Sequence, residues 1–340
     1  MDGYLRGYYG YKNFGDELLF FGIIKWIFAN YTLEKLLVEV EDPQWMHHRV
    51  SKNAHLKTTD YHSYQDKIIF IQSKQHKHKW KTHIIDFLGM GKYKKIFKFF
   101  GGGEVLTDER KFPHDGRNIP LLFGRNVRKG QFVLLGGIAT PHKPRTKFLY
   151  KRLFRKAQKI IVRDNISFKI VENYVSLSKT KSISKHGDSS LRSEGQQVEN
   201  KIMLHQDFAV DTIHQAFEEG IGESIQHAKC ILINVNGQEN TPANREKILA
   251  FCKQYPLHQK IFFPCDMLDD AKQYKSLKHD IPDLIYYNWT EHNINQILNM
   301  FVICDGGIGC RLHFLLPLKL YRKTFEAIPY AEKIEKLILK

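Results

Sequence analysis

Short apolar runs alternate along this chain with longer segments of helical period. In the first half, runs rich in β-branched and aromatic residues predict strands at 3–8, 36–40, 67–71, 95–100, 131–135 and 159–162. Residues 16–30 are predicted to form a helix, because apolar residues recur there with helical spacing and Asp16 and Glu17 lie at its positive end. Strands that alternate with helices are typical of a parallel sheet covered by helices on both faces.

The same alternation returns in the second half, with strands predicted at 230–235, 260–263, 284–287, 301–304 and 324–328. Between the two sets, residues 171–206 are richer in serine, lysine and glycine, which indicates the approach to a domain junction. We therefore predict an α/β protein of two Rossmann-like, doubly wound domains, 1–205 and 206–340, with a ligand-binding cleft between them.

Composition and charge narrow the class of protein. The chain has 340 residues, of which 42% are hydrophobic, and this is typical of a globular protein rather than a fibrous or disordered one. The formal net charge is +16 at pH 7. Such a charge favours an anionic partner, which would be a phosphate ester, a nucleic acid or an anionic membrane.

The cysteines and the N-terminal sequence indicate a compartment. The five cysteines are odd in number and form no CxxC pair, a pattern that favours reduced thiols in a cytoplasm. The first residues lack the profile of a signal peptide, and the longest apolar stretch, 18–28, is interrupted by Lys25. We expect a cytoplasmic protein without a membrane-spanning segment.

Glycine clusters follow several predicted strands. They are predicted to line a pocket, because glycine lets a ligand approach the backbone closely. The alternative is a set of tight turns packed against neighbouring helices, with Asp16 as a helix cap. The first cluster matches neither the dinucleotide-binding nor the P-loop motif. The candidate pocket residues are Gly10, Asn13, Gly15, Gly101, Gly102, Gly103, Gly307 and Gly309.

Two arginines and a histidine stand near the ends of predicted strands. Arg163 would bind a phosphate or carboxylate, unless the Arg163–Asp164 pair only caps a helix. Arg311 and His313 follow a glycine-rich turn at 306–309, so a fixed cation and a titratable imidazole would lie beside exposed backbone N–H groups. This combination suits a phosphorylated carboxylate, although a lone histidine is more often structural.

Five segments, in order, resemble the polysaccharide pyruvyl transferase family over nearly the whole chain. They are GYYGYKNFGDE at 7–17, FGGGEVLTD at 100–108, VRDNIS at 162–167, LHQDFA at 204–209 with Asp207, and IGCRLH at 308–313. The resemblance implies two Rossmann-like domains in the arrangement of GT-B glycosyltransferases, with the acceptor on the first domain and the donor on the second. It also implies transfer of pyruvate from phosphoenolpyruvate to two hydroxyls of a sugar, which forms a ketal and releases phosphate.

The resemblance further implies roles for single residues. Arg311 and His313 match the family's donor-contacting arginine and histidine, and Lys333 matches a lysine that follows them near the chain end. Arg163 is a further candidate donor ligand by its position in VRD. Phosphoenolpyruvate is the co-substrate, and no cofactor or metal is expected.

The reaction explains these residue types. The phosphate and carboxylate of phosphoenolpyruvate need fixed cations to offset their charge. His313 is suited to proton transfer because the ordinary pKa of histidine lies near neutrality. Asp16 and Glu17 are our first candidates for the carboxylate that handles the sugar hydroxyls, and Asp108 is the next.

The chain departs from the family pattern at two places. Gly137-Ile138-Ala139-Thr140-Pro141 stands where the family has a GIGP-like turn, so the backbone there is expected to differ. Phe314 replaces a small residue directly after RLH, which would alter the floor of the pocket. Neither change removes a charged group.

Two further stretches are candidate binding surfaces. The basic segment 143–159, which includes apolar Phe148, is a candidate contact with an anionic membrane that carries a lipid-linked acceptor. Its alternative is a solvated basic face over a buried apolar stripe. The histidine-rich stretch 75–83 is predicted to be a solvated loop, because its lysines would repel a metal ion.

Two other functions compete with pyruvyl transfer. A nucleotide-sugar glycosyltransferase of the GT-B type would share the two-domain cleft. A nucleic-acid-binding protein would account for the positive charge, but no nucleic-acid-binding motif is present in the sequence. We therefore expect phosphoenolpyruvate and a saccharide or lipid-linked saccharide as partners, in surface polysaccharide biosynthesis, and no nucleic acid.

Overall fold

The computed structural model describes residues 1–56, 60–73, 96–106, 129–183, 201–219, 229–328, 334 and 338. The chain forms two compact units. Unit 1 comprises Met1–Tyr8, Trp26–Pro43 and Tyr64–Phe208, and unit 2 comprises Tyr9–Lys25, Gln44–Ser63 and Ala209–Lys340. A single cut in the sequence therefore does not separate the units, because two N-terminal segments belong to the unit that contains the C-terminal half.

Unit 1 is built on a sheet of seven parallel strands. They are β1 (Asp2–Arg6), β2 (Lys35–Val40), β3 (Ile68–Gln72), β4 (Phe97–Leu106), β5 (Phe132–Ile138), β6 (Lys159–Val162) and β7 (Ile202–Leu204). Their order across the sheet is β3-β2-β1-β4-β5-β6-β7. The strand order reverses between β1 and β4, as in a Rossmann fold.

Unit 2 repeats this plan with five parallel strands. They are β8 (Cys230–Asn234), β9 (Gln259–Phe262), β10 (Ile285–Tyr286), β11 (Gly306–Gly309) and β12 (Thr324–Ala327), in the order β10-β9-β8-β11-β12. The order reverses between β8 and β11. The two sheets confirm the predicted fold class, an α/β protein with two Rossmann-like units.

The described residues also form nine α-helices. They are α1 (Phe14–Asn30), α2 (Pro43–Asn53), α3 (Pro144–Lys156), α4 (Asn165–Ile183), α5 (Phe208–Glu218), α6 (Pro242–Gln254), α7 (Gln273–Asp280), α8 (Ile294–Ile303) and α9 (Leu312–Leu320). The helix predicted at 16–30 is confirmed as α1. Its residues Leu18–Phe21, Ile23, Ile24 and Ile27 are all buried, as expected for a helix that is apolar around most of its surface.

The strand predicted at 301–304 is wrong. Residues 294–303 form α8, whose N-terminus carries a capping box between Asn293 and Gln296, and the strand is β11 at Gly306–Gly309. A Cβ at Gly307 would lie 2.8 Å from Cδ1 of Leu318, and one at Gly309 would lie 2.6 Å from Cδ1 of Phe314. Glycines are therefore required there because α9 packs directly on β11, and they form a buried strand rather than an exposed turn.

The glycines at 101–103 also differ from the prediction. They do not follow a strand but continue β4, which pairs with β5 through register irregularities between Gly102 and Glu104. A Cβ at Gly136, whose φ is +137°, would lie 2.3 Å from the carbonyl oxygen of Gly102. These glycines therefore let two neighbouring strands bend closely past one another.

The basic segment 143–159 contains α3, but its apolar stripe is divided. Tyr150, Leu153 and Phe154 are buried in the core of unit 1, whereas Phe148 is 65% exposed. The apolar residues of α3 therefore serve mainly the core of unit 1. In the part of the chain that the structure describes, we find no helix long and apolar enough to span a membrane.

Candidate functional site

Arg311 and Asn234 mark the switch point of the unit 2 sheet. Asn234 ends β8, and Arg311 follows β11, the strand that pairs with β8 where the strand order reverses. The side chain of Asn234 is fully buried, and its Oδ1 accepts a hydrogen bond from the backbone N–H of Arg311 at 3.2 Å. In open α/β sheets, ligands bind outside the carboxyl ends of the strands at such a point.

The Arg311 guanidinium is held by two consecutive carboxylates. Its Nε donates to Oδ1 of Asp270 at 3.0 Å, and its Nη2 donates to Oδ1 of Asp270 at 2.5 Å and to Oδ2 of Asp269 at 3.0 Å. The Arg311 side chain remains 20% exposed. Arg311, the predicted donor-binding cation, is thus held in one direction by these two carboxylates.

His313 lies against the first turn of α1. A Cβ at Gly15 would lie 2.0 Å from Nδ1 of His313, so only glycine allows this approach. His313 is in the first turn of α9, two residues after Arg311. The structure therefore brings together three of the predicted site residues, Gly15, Arg311 and His313, within unit 2.

A short antiparallel contact fixes the N-terminus of α1 in this place. The backbone N–H of Phe14 donates to the carbonyl of Cys265 at 2.8 Å, and that of Met267 donates to the carbonyl of Lys12 at 3.1 Å. The Asn13 amide also donates to Oδ2 of Asp266 at 3.4 Å. Because Asp269 and Asp270 follow in the same loop, this pairing ties the N-terminal motif to the partners of Arg311.

Phe14 supplies the apolar part of the same anchor. Its ring is fully buried and packs on Phe263, Trp289 and Phe301. The predicted pocket residue Asn13 accordingly has a structural task, since its Oδ1 also accepts from the backbone N–H of Asp16 at 3.3 Å. Gly10 has a φ of +80°, a conformation that favours glycine.

Glu17, a predicted catalytic carboxylate, is part of a buried ion pair. Its Oε2 accepts from Nε of Arg49 at 2.8 Å, and neither side chain is more than 4% exposed. The Arg49 guanidinium also lies over the rings of Trp45 and Trp289. Burial raises the pKa of Glu17, and Arg49 opposes that rise. This geometry assigns Glu17 a structural role in joining α1 to α2.

Asp16 points differently from its neighbour because successive helical residues are separated by about 100° around the axis. It is half-buried and lies in the first turn of α1, next to Gly15. Burial, and then the negative charge of Asp16, raise the pKa of the buried Tyr9 well above its ordinary value. Of the two carboxylates in this turn, Asp16 is therefore the less buried.

Arg163 lies in unit 1 and is also engaged. Its Nη1 donates to Oδ2 of Asp207 at 3.0 Å, and both side chains are 3% exposed. A Cβ at Gly137 would lie 2.9 Å from Nε of Arg163. Asp164 accepts from the backbone N–H of Ser167 at 2.7 Å, as expected for a helix cap. These contacts favour the structural alternative for the Arg163–Asp164 pair.

The remaining predicted residues fall into two groups. Gly101, Gly102 and Gly103 lie at the switch point of the unit 1 sheet, where β4 pairs with β1. Lys333, Asp108 and the stretch 75–83 lie outside the described residues. Among the residues that are described, no group of three or more histidine, cysteine, aspartate or glutamate side chains is arranged to hold a metal ion.

Sequence reasoning missed the carboxylates that hold Arg311. Asp269 and Asp270 lie in Pro264-Cys265-Asp266-Met267-Leu268-Asp269-Asp270, a segment that matches none of the motifs described above. The available signal was their position directly after the strand at 260–263, because the carboxyl ends of parallel strands meet at one edge of a sheet. No comparable signal marks Arg49 in the sequence, because it pairs with Glu17 of a different helix.

Comparisons with solved structures identify proteins of similar fold. The chain is similar to a UDP-N-acetylglucosamine 2-epimerase from Rickettsia bellii, with a TM-score of 0.57 and 9% identity. The match covers 98% of this chain and 80% of the epimerase. Over 99% of this chain, it is similar to 85% of the UDP-GlcNAc 2-epimerase from Neisseria meningitidis, with a TM-score of 0.55 and 10% identity. At these identities the likeness shows a shared fold alone, and it agrees with the predicted fold class.

Sequence comparison is more specific about the family. No curated protein sequence matches the chain. The family model described as polysaccharide pyruvyl transferase matches residues 13–316, which include Gly15, Arg311 and His313. Because the match covers most of the chain, the protein belongs to the polysaccharide pyruvyl transferase family.

Proposed function

We propose that this protein transfers pyruvate from phosphoenolpyruvate to two hydroxyls of a saccharide. The observation that carries the proposal is the meeting of Arg311, His313 and the first turn of α1 at the switch point of unit 2. Membership of the polysaccharide pyruvyl transferase family supports the transferase class and a role in polysaccharide biosynthesis. The reaction we propose needs no cofactor, and we place it in the cytoplasm.

The proposed reaction balances in four changes. The methylene carbon of phosphoenolpyruvate gains a proton, and the carbon beside the carboxylate becomes cationic. A sugar hydroxyl adds to that carbon and loses its proton. The bond between the same carbon and the phosphate oxygen then breaks, and a second hydroxyl adds to the carbon and loses its proton. The products are a cyclic ketal and inorganic phosphate. One hydroxyl proton offsets the proton gained by carbon, and the other leaves with phosphate or to solvent.

Each residue type in unit 2 suits one of these changes. Arg311 would bind the phosphate or the carboxylate of the donor through its planar guanidinium. His313 would move the proton to carbon or to the leaving phosphate, since imidazole exchanges protons near neutral pH. Asp16 would accept a hydroxyl proton, because it is the partly exposed carboxylate of the turn that contacts His313. By its place in the family motif, Lys333 would be a second donor cation.

The function is tested by measuring phosphate release from phosphoenolpyruvate in the presence of saccharide acceptors. Arg311→Lys keeps the charge beside Asp270 but loses the bidentate fork, and His313→Asn removes the proton carrier. We expect both variants to melt near the wild type and to lose at least about 100-fold in kcat/KM. A nucleotide sugar that stabilises the wild type, where phosphoenolpyruvate does not, would instead favour a glycosyltransferase.

We also propose that α3 rests on an anionic membrane that carries the acceptor. Phe148 is 65% exposed, and basic side chains exposed near it are Lys143, Arg145, Lys147, Arg152 and Arg155. An aromatic ring among cations suits the interface of anionic lipids. Tyr150, Leu153 and Phe154 of α3 are buried in the core, so the contact would be peripheral and sensitive to salt.

Sedimentation with vesicles of phosphatidylglycerol and phosphatidylcholine tests this contact. We expect binding that weakens with salt and with Phe148→Ser. Phe217→Ser is the matched control, because Phe217 is a 56% exposed aromatic residue of α5 in unit 2. If Phe148→Ser and Phe217→Ser bind the vesicles equally well, α3 has a solvated basic face that does not contact the membrane.

A further inference from the structure

The two carboxylates that hold Arg311 differ sharply in burial. The side chain of Asp270 is fully buried, whereas that of Asp269 is 49% exposed. They are adjacent in sequence and contact the same guanidinium. This difference suggests that only one of them is a permanent partner of Arg311.

Asp270 is fixed by donors on several sides. Besides Arg311, its carboxylate accepts from the Asn234 amide at 3.0 Å and from the backbone N–H groups of Cys265 at 3.1 Å and Asp266 at 3.2 Å. Burial raises the pKa of Asp270, and Arg311 is the foremost of the groups that oppose this rise. Removing Arg311 from Asp270 would leave a buried charge without its counter-ion, which is strongly unfavourable.

Asp269 has no comparable set of donors among the described residues. Its Oδ2 accepts from Nη2 of Arg311 at 3.0 Å. Its Oδ1 faces Gly237, where an added Cβ would lie 3.0 Å away. An ion pair exposed on one side in this way contributes little to stability, because water solvates the charges almost as well when they separate.

The charges explain what happens when an anion approaches. Arg311 contributes one positive charge, and Asp269 and Asp270 contribute two negative charges when both are ionised. Among these three groups negative charge is in excess, so an oxyanion at the guanidinium would be repelled by Asp269 and would share Nη2 with it. Moving the exposed carboxylate into water removes both obstacles, whereas moving the buried one does not.

We propose that Asp269 is a displaceable counter-ion that an oxyanion ligand replaces on Arg311, while Asp270 is a positioning residue that keeps the guanidinium in place. The ligand class is a phosphate or carboxylate group. That the natural ligand is phosphoenolpyruvate rests on the proposed function. Asp269 then sets the donor affinity, since each binding event must first displace its side chain.

Calorimetry at low ionic strength tests this inference with two ligands, inorganic phosphate and phosphoenolpyruvate. Asp269→Asn removes the competing charge, and we expect it to bind both ligands at least about threefold more tightly than the wild type. Asp280→Asn is the matched control. Asp280 is also a partly exposed carboxylate of unit 2 paired with an arginine, 3.3 Å from Nη1 of Arg245. The control should change either dissociation constant by less than about twofold.

A kinetic measurement separates positioning from competition. In Asp269→Asn we expect the KM for phosphoenolpyruvate to fall by a larger factor than kcat changes. In Asp270→Asn we expect a higher KM and at least about a tenfold lower kcat, because the guanidinium loses its direction. If Asp270→Asn does not fold, the Asp269→Asn binding data still decide the inference.

The outcomes also separate this inference from the proposed function. If Asp269→Asn binds phosphate no more tightly than Asp280→Asn does, the counter-ion inference is overturned, whatever the enzyme turns over. If Asp269→Asn gains phosphate affinity but no form of the protein binds or consumes phosphoenolpyruvate, the counter-ion stands and the proposed donor fails.

Discussion

Gly15 lies where the site has no room for a side chain. A Cβ there would lie 2.0 Å from Nδ1 of His313, so Gly15→Ala must move either the imidazole or the first turn of α1. Displacement of a catalytic group by about 1 Å costs on the order of 100-fold in rate. We therefore expect Gly15→Ala to lose at least about that factor in phosphate release from phosphoenolpyruvate.

Gly130→Ala is the control for this substitution. A Cβ at Gly130 would meet no atom within 4 Å, but the φ of this residue is +77°. Alanine there should cost about 1 kcal/mol in the free energy of unfolding and leave the kinetic constants unchanged. Wild-type turnover by Gly15→Ala would show that the reaction does not depend on the close approach of α1 to His313.

The lowered pKa of Lys201 makes the free energy of unfolding depend on pH. Burial, and then the nearby charge of Lys129, lower the pKa of Lys201 from 10.5 to about 8. Between these values the unfolded chain binds more protons than the folded one, so this residue makes stability rise as pH increases from 8 to 10.5. We expect urea unfolding to show this rise in the wild type relative to Lys201→Gln. A difference that is constant with pH would contradict it.

At the scale of elements, the Glu17–Arg49 pair joins α1 to α2. Arg49 also donates to the carbonyl of His292 at 2.6 Å, so it connects both helices to the segment before α8. Arg49→Met leaves the Glu17 carboxylate buried without its partner. We expect a loss of about 3–5 kcal/mol in the free energy of unfolding, measured by urea denaturation.

The pH dependence of this loss provides an independent check. Burial already raises the pKa of Glu17 above 4.5, and loss of Arg49 would raise it further. A carboxyl group whose pKa is raised in the folded state lowers the stability at pH values above its unfolded-state pKa. This cost becomes smaller as the pH falls through the folded-state pKa. The difference between wild type and Arg49→Met should therefore narrow as pH falls toward 4.5. Glu17→Gln combined with Arg49→Met should recover part of the loss at neutral pH.

At the scale of the whole molecule, every cysteine is buried. Burial raises the pKa of Cys230 and Cys252 to about 11, that of Cys304 and Cys310 to about 12, and that of Cys265 well above its ordinary value. Because the thiolate is the reactive form, the native protein should resist iodoacetamide at pH 8. Mass spectrometry should show five modifications only after denaturation, and one rapidly alkylated thiol in the native protein would contradict this.

The sequence predicts the fold better than it predicts the site. The strand at 159–162 and the helix that begins near Asp16 are confirmed because their apolar patterns are local. The sequence does not predict Gly306–Gly309 as a strand, because glycine has a low β-propensity. The close packing of α9 that requires these glycines is a tertiary contact, which no local pattern shows. Short apolar runs such as 301–304 are ambiguous between helix and strand.

The site shows the same limit among single residues. The family resemblance predicts Arg311 and His313 as site residues, but no local pattern shows that Asp270 would hold the arginine across 41 residues. Asp16 and Glu17 are neighbouring carboxylates, and the sequence does not show that Glu17 is the one that pairs with Arg49. Charged residues are thus easy to find in the sequence, while their partners depend on the complete fold.

The pairing of residues 12–14 with 265–267 also affects how the chain matures. The Asn13 and Asp266 side chains that meet there are 253 positions apart, so residues 12–14 leave the ribosome long before the residues with which they pair. A fragment that begins at residue 206 would lack the Phe14 ring between Phe263, Trp289 and Phe301. The C-terminal half is consequently a poor unit to express alone, whereas adding back a peptide of residues 9–25 should restore its missing core.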